Sequence, residues 1–149
     1  MISESARMTS AAQARFRVDR PNSRPRAIAI IALDRPSEEV VMELARGSWN
    51  RARFYPRHDL IAAQLAEALD GTDLVVMVAT AGEDAADAAR IGEACSARRV
   101  PTTGLVLGAT GDADEALSKT LAQLRPWMLM LVIANSSEYV EDMLRALRA

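Results

Sequence analysis

Three apolar runs decide how this chain folds: Leu74-Val75-Val76-Met77-Val78-Ala79, Thr103-Gly104-Leu105-Val106-Leu107 and Met128-Leu129-Met130-Leu131-Val132-Ile133-Ala134. None alternates polar with apolar. Each therefore reads as a strand covered on both faces, the signature of a parallel sheet enclosed by helices. Helical spacing separates the runs. Ala88, Ile91, Gly92 and Cys95 fall at i, i+3, i+4 and i+7 before the second, and Leu117, Leu121 and Leu124 form a stripe before the third.

The same alternation extends to both sides. Upstream, Ala27 to Leu33 is a first strand, which Asp34-Arg35-Pro36 ends. Asp34 or Ser37 can cap the helix that follows, and Pro36 suits its first turn. Val40, Val41 and Leu44 supply its inner stripe and Gly47 its terminator. Arg51 to Tyr55 is a weaker strand whose charge suits a sheet edge, and Ile61, Leu65, Ala68 and Leu69 mark the next helix. Downstream, Asn135-Ser136-Ser137 leads into a last helix with Val140, Met143, Leu144 and Leu147 facing inward. Strand and helix thus alternate five times. With right-handed crossovers, this predicts a three-layer, doubly wound, mostly parallel five-stranded sheet of Rossmann-like or flavodoxin-like type. The strand order expected is 2-1-3-4-5, with 3-2-1-4-5 as the alternative.

At 149 residues, one domain is expected. The division predicted is a flexible basic arm over residues 1–25 and a single Rossmann-like domain over 26–149. Arg7, Arg15, Arg17, Arg20, Arg24 and Arg26 outweigh Glu4 and Asp19, so the first 26 residues carry +4. The net charge of −2 then leaves the remainder at −6. That balance argues against nucleic acid as a partner. The only cysteine, Cys95, cannot form an internal disulfide, and no apolar leader stands at the start. The longest apolar run, residues 127–134, falls far short of the roughly 20 residues a membrane helix needs. A cytoplasmic protein without membrane spans is expected.

In doubly wound sheets, ligands bind outside the carboxyl ends of the strands, where the strand order reverses. With the first and third strands adjacent, their loops offer Asp34, Arg35, Thr80, Ala81, Gly82 and Glu83. The later loops add Thr110, Gly111, Asn135 and Ser136. Such residues at helix N-termini either hold an anion through free backbone N–H groups or simply cap the helices. The ligand-binding set nominated is Asp34, Thr80, Gly82, Thr110 and Asn135. No catalytic or metal-binding residue is assigned, and the sequence names no cofactor.

Other motifs weaken on inspection. Gly108-Ala109-Thr110-Gly111 looks like part of a dinucleotide fingerprint, but the third glycine position is Asp114. The loop Leu33-Asp34-Arg35-Pro36 has no glycine to cradle a phosphate. His58, between Arg57 and Asp59, reads as a surface residue, and Cys95 as inert packing. Trp49, Phe54 and Tyr55 lie among Arg51, Arg53 and Arg57, a pattern of an edge strand with snorkelling arginines. Asp34 after the first strand resembles an acid of a phospho-acceptor receiver domain. However, the third strand ends in Thr80 rather than an aspartate nucleophile, and no lysine follows the fifth.

Residues 73–135 resemble the nucleotide-binding half of the tubulin/FtsZ superfamily. Asp73-Leu74-Val75-Val76 followed by Thr80-Ala81-Gly82 is similar to the strand entering that family's phosphate loop. Val100 to Val106 is similar to its following strand, and Leu131-Val132-Ile133-Ala134-Asn135 to its strand ending in asparagine. The family's glycine run is replaced by Gly82-Glu83-Asp84-Ala85-Ala86, so the resemblance implies a reduced relative that has lost GTP hydrolysis.

The functional expectation is an α/β domain that binds a small ligand, nucleotide or anion, or else a protein partner, at the carboxyl edge of the sheet. The balance leans away from an enzyme. One alternative is a metal-dependent phosphoryl or hydrolytic enzyme using Asp34 with Glu83 or Asp84. The other is a structural subunit that homo-oligomerises through the last helix or the edge strand near Arg53.

Overall fold

The computed structural model describes residues 26–56, 62–108 and 114–149. The strands are β1 (Ile28–Ala32), β2 (Ala52–Tyr55), β3 (Leu74–Thr80), β4 (Thr102–Leu107) and β5 (Met130–Ala134). The helices between and after them are α1 (Arg35–Ala45), α2 (Ala62–Leu69), α3 (Asp87–Arg98), α4 (Asp114–Leu124) and α5 (Ser137–Ala146). All four strand pairings are parallel and the order is β2-β1-β3-β4-β5. This is the flavodoxin-like arrangement, the first of the two orders expected. The basic arm at residues 1–25 and His58 lie outside the described residues.

Alternation along the strands builds two cores. Ala29, Ile31, Leu33, Val75, Met77, Ala79 and Val106 face α2, α3 and α4. Ile28, Ile30, Ala32, Val76, Val78 and Leu105 face α1 and α5. Because both faces are covered, the central strands need no polar alternation, which is why their runs are continuously apolar. Small residues let the layers close. A Cβ on Gly92 of α3 would stand 2.6 Å from Cβ of Trp127, so that helix packs directly on the 3-10 turn Arg125–Trp127.

The third apolar run departs from expectation. Its continuous apolar sequence predicts a strand covered on both faces, but β5 is an edge strand and starts only at Met130. Pro126 shapes the 3-10 turn, which takes up Arg125 to Trp127 and delays the strand. On β5 only Ala134 is fully buried. Leu129 is 80% exposed, and Met130 and Ile133 are nearly half-exposed. Hydrophobicity alone does not separate a central strand from an uncovered one.

Candidate functional site

The carboxyl ends of β1 and β3 are tied by one side chain. Asp34 is only 3% exposed. Its Oδ1 accepts the backbone N–H of Ser37 at 2.8 Å, which caps α1, and its Oδ2 accepts the backbone N–H of Thr80 at 2.7 Å. The Thr80 hydroxyl donates to Oδ1 at 3.0 Å. That hydroxyl has one proton, so the 3.0 Å contact between Ser37 Oγ and Thr80 Oγ1 must use the Ser37 proton. The chain of donors runs from Ser37 to Thr80 to Asp34. Of the two caps the sequence allowed, Asp34 acts and Ser37 receives.

The loop after β3 is closed just as fully, from the other side. Gly82 has φ +91°, a conformation open to glycine at little cost, and its N–H donates to Thr120 Oγ1 at 3.0 Å. Ala85 N–H donates to Gln123 Oε1 at 2.7 Å, and Gln123 Nε2 donates to Asp84 Oδ1 at 2.7 Å. The N–H groups of Ala81, Glu83 and Ala86 go to Leu107 O, Thr80 O and Asp84 Oδ1. Thr120 and Gln123 of α4 therefore hold the loop. The signal for Thr120 was its place within the stripe of Leu117, Leu121 and Leu124, a buried polar residue that had to find a partner.

The structure thus brings Asp34 and Thr80 into contact, with Gly82 two residues further along the same loop. Asn135 is exposed beyond β5, one residue before Ser136, which accepts the Tyr139 N–H and caps α5. Thr110 lies outside the described residues. Among the described residues, a groove of about 450 Å³ lies beside this loop, lined by Gly82, Glu83, Asp84, Lys119, Ala122 and Gln123. Among the described residues no three His, Cys, Asp or Glu side chains converge as metal ligands would. Asp34 is buried in its own network, whereas Glu83 and Asp84 are exposed.

No family model matches this chain, and no curated protein matches it. Among solved structures it is similar to the signal receiver domain assigned to the response regulator NarL from Mycobacterium tuberculosis. That match has 16% identity and a TM-score of 0.42, and covers 82% of this chain and 98% of the other. The tubulin/FtsZ resemblance of residues 73–135 does not hold. The loop geometry gives the physical reason. A phosphate loop needs unpaired backbone N–H groups. Those of Ala81, Gly82, Glu83, Ala85 and Ala86 all have acceptors within the protein.

The exposed apolar surface gathers elsewhere. Leu129, Met130 and Ile133 lie on and beside β5, and half-exposed Tyr139 on α5. On α5, Glu141 and Arg145 face Ser48 just beyond α1, and the Arg145 guanidinium lies 4.5 Å over the Trp49 ring. Tyr139, Met143 and Ala146, spaced i, i+4 and i+7, take the opposite flank, on the side of the open strand. Of the aromatic-basic cluster seen in the sequence, Trp49 packs against Phe54, and the cation over its ring is Arg145 of α5, from outside that cluster. No helix among the described residues is long and apolar enough to cross a membrane.

Proposed function

We propose that this chain is a protein-partner-binding α/β domain whose working surface is the β5 edge together with the adjoining flank of α5. The observation that carries this reading is the contrast between the two edges of one sheet. At the β2 edge, Arg51 and Arg53 are exposed and Pro56 follows the strand, the usual protection against pairing. At the β5 edge, Met128 to Ala134 contains neither a charge nor a proline. A bare strand edge flanked by apolar side chains accepts an added strand or an apolar surface of another protein. Covering Leu129, Met130, Ile133 and Tyr139 contributes about 4 kcal/mol of transfer free energy before association costs. The partner class includes a second copy of the chain. A homo-oligomer of this kind uses β5, rather than the edge near Arg53.

The test compares capture by wild-type protein with capture by Met130→Lys/Ile133→Lys. Both side chains are nearly half-exposed, and a lysine stem can cover the same surface with its ammonium in water, so the unfolding midpoint should stay within a few degrees of wild type. Self-association, measured by sedimentation, or retention of a specific protein should fall at least tenfold in the variant. Equal capture and equal association by the two proteins would remove this surface from consideration.

A further inference from the structure

Strand β5 has one open side, and its register against β4 fixes which residues face it. Leu129 donates its N–H to Thr102 O of β4 at 3.0 Å, and Met130 to Ala134 then pair with Thr103 to Leu107. The backbone groups of successive strand residues point to opposite sides. Leu129, Leu131 and Ile133 therefore turn theirs toward β4, while Met130, Val132 and Ala134 turn theirs outward.

A second copy of the chain fits this edge when it runs antiparallel about a two-fold axis at Val132. Met130 then stands opposite the copy's Ala134, and Val132 opposite its own equivalent. Every outward residue exchanges both backbone bonds, about six across the pair. The side chains match as well. On the α5 face the long, exposed Met130 lies over the small Ala134 of the copy, and on the other face exposed Ile133 lies opposite Leu131.

Charge selects the same direction. Arg125 precedes Val132 by nearly as many positions as Glu138 follows it. Both are exposed, and neither has an ion pair among the described residues. Antiparallel pairing brings the Arg125 end of β5 to the Glu138 end of the copy, twice by symmetry. Parallel pairing would set arginine against arginine and glutamate against glutamate. A two-fold contact also closes on itself. The ends of the joined sheet, five strands from each copy, are then the β2 edges with Arg51 and Arg53. Building on the β5 surface proposed above, we infer that its partner is a second copy, paired antiparallel through β5 about Val132.

Sedimentation equilibrium of the full chain should give a dimer with a dissociation constant below about 100 µM, as befits a small interface. Arg125→Glu and Glu138→Arg should each weaken it about tenfold, because the contact occurs twice. An equimolar mixture of those two variants should recover wild-type affinity, since only the heterodimer restores opposite charges at both ends. In a Cys95→Ala background, Val132→Cys should cross-link to its copy on oxidation, as an opposed Cα separation of about 5.5 Å permits, and Arg53→Cys should not. A dimer that ignores both charge reversals would overturn the pairing, as would one that cross-links through Arg53→Cys and not through Val132→Cys. A wild type that stays monomeric at about 100 µM would also overturn it. If that monomer still retains another protein, and loses it in Met130→Lys/Ile133→Lys, the two-fold pairing falls and the β5 surface stands.

Discussion

Removing the Asp34 carboxylate should cost the domain about 3 kcal/mol, and the sum can be built from its three bonds. The first caps α1 through Ser37 N–H, and losing such a cap costs about 1 kcal/mol. The second is the 2.7 Å bond to Thr80 N–H, a main-chain donor at the end of β3; stranding it costs about 1.5 kcal/mol. The third, from the Thr80 hydroxyl, adds about 0.5 kcal/mol because that group can rotate toward another acceptor. Against a typical total of about 5–15 kcal/mol this is a large share, equivalent to roughly 10 °C in melting temperature. Asp34→Asn should lose about 2 kcal/mol, since the amide oxygen can keep one N–H but the NH₂ then opposes a donor at Thr80. Thr80→Val should lose about 1 kcal/mol, because its backbone bond to Asp34 survives. Urea unfolding of the three variants reads all of these. An Asp34→Ala loss under about 1 kcal/mol, or a Thr80→Val loss equal to it, would refute the claim that Asp34 joins β1 to β3.

Two further expectations concern packing and titration. Gly92→Ala should destabilise by about 1–3 kcal/mol despite the better helix propensity of alanine. The new Cβ meets Trp127 Cβ at 2.6 Å, an atom that cannot swing away. Gly104→Ala should cost less, because its closest contact is Leu131 Cδ1, the end of a flexible side chain on the open edge; thermal unfolding ranks the pair, and the reverse order would contradict this packing. Burial pushes the Cys95 thiol up from 9.0 to about 11, with Arg98 opposing that rise. The unfolded chain therefore sheds this proton first as pH rises, and stability is lost from pH 9 upward, by about 1.4 kcal/mol at pH 10. Denaturation of wild type and Cys95→Ala at pH 8 and pH 10 checks this. Equal alkaline losses in both would contradict it.

The fold was legible because every central strand is covered twice. That condition writes itself into Ala27–Leu33, Leu74–Ala79 and Thr103–Leu107 as uninterrupted apolar runs, and Asp34, Pro36 and Ser136 mark helix starts at the right places. The uncovered strand was not legible, because Met128–Ala134 has the same composition as its buried neighbours and its exposure depends on strand order. The carboxyl-edge residues were located by topology alone. Their state depended on distant partners: Thr80 lies 46 positions from Asp34, and Thr120 lies 38 from Gly82. A local reading of Thr80-Ala81-Gly82 sees small residues at a helix start. It cannot see that α4 supplies the acceptors that close the loop.

The placement of polarity follows from those closures. A doubly wound sheet ordinarily leaves backbone donors and short polar side chains free at its carboxyl edge, and there a ligand binds. In this chain, Asp34, Ser37 and Thr80 satisfy one another, while Thr120 and Gln123 satisfy the next loop, so the loops after β1 and β3 are closed by partners within the protein. A recognition surface must offer either unpaired polar groups or uncovered apolar area. The first is scarce where these networks close the β1 and β3 loops. The second is concentrated along β5 and Tyr139, at the far side of the sheet from the charged β2 edge. The strand that breaks the covered-strand pattern is therefore where the exposed large apolar side chains of the described residues gather, as the proposed partner surface requires.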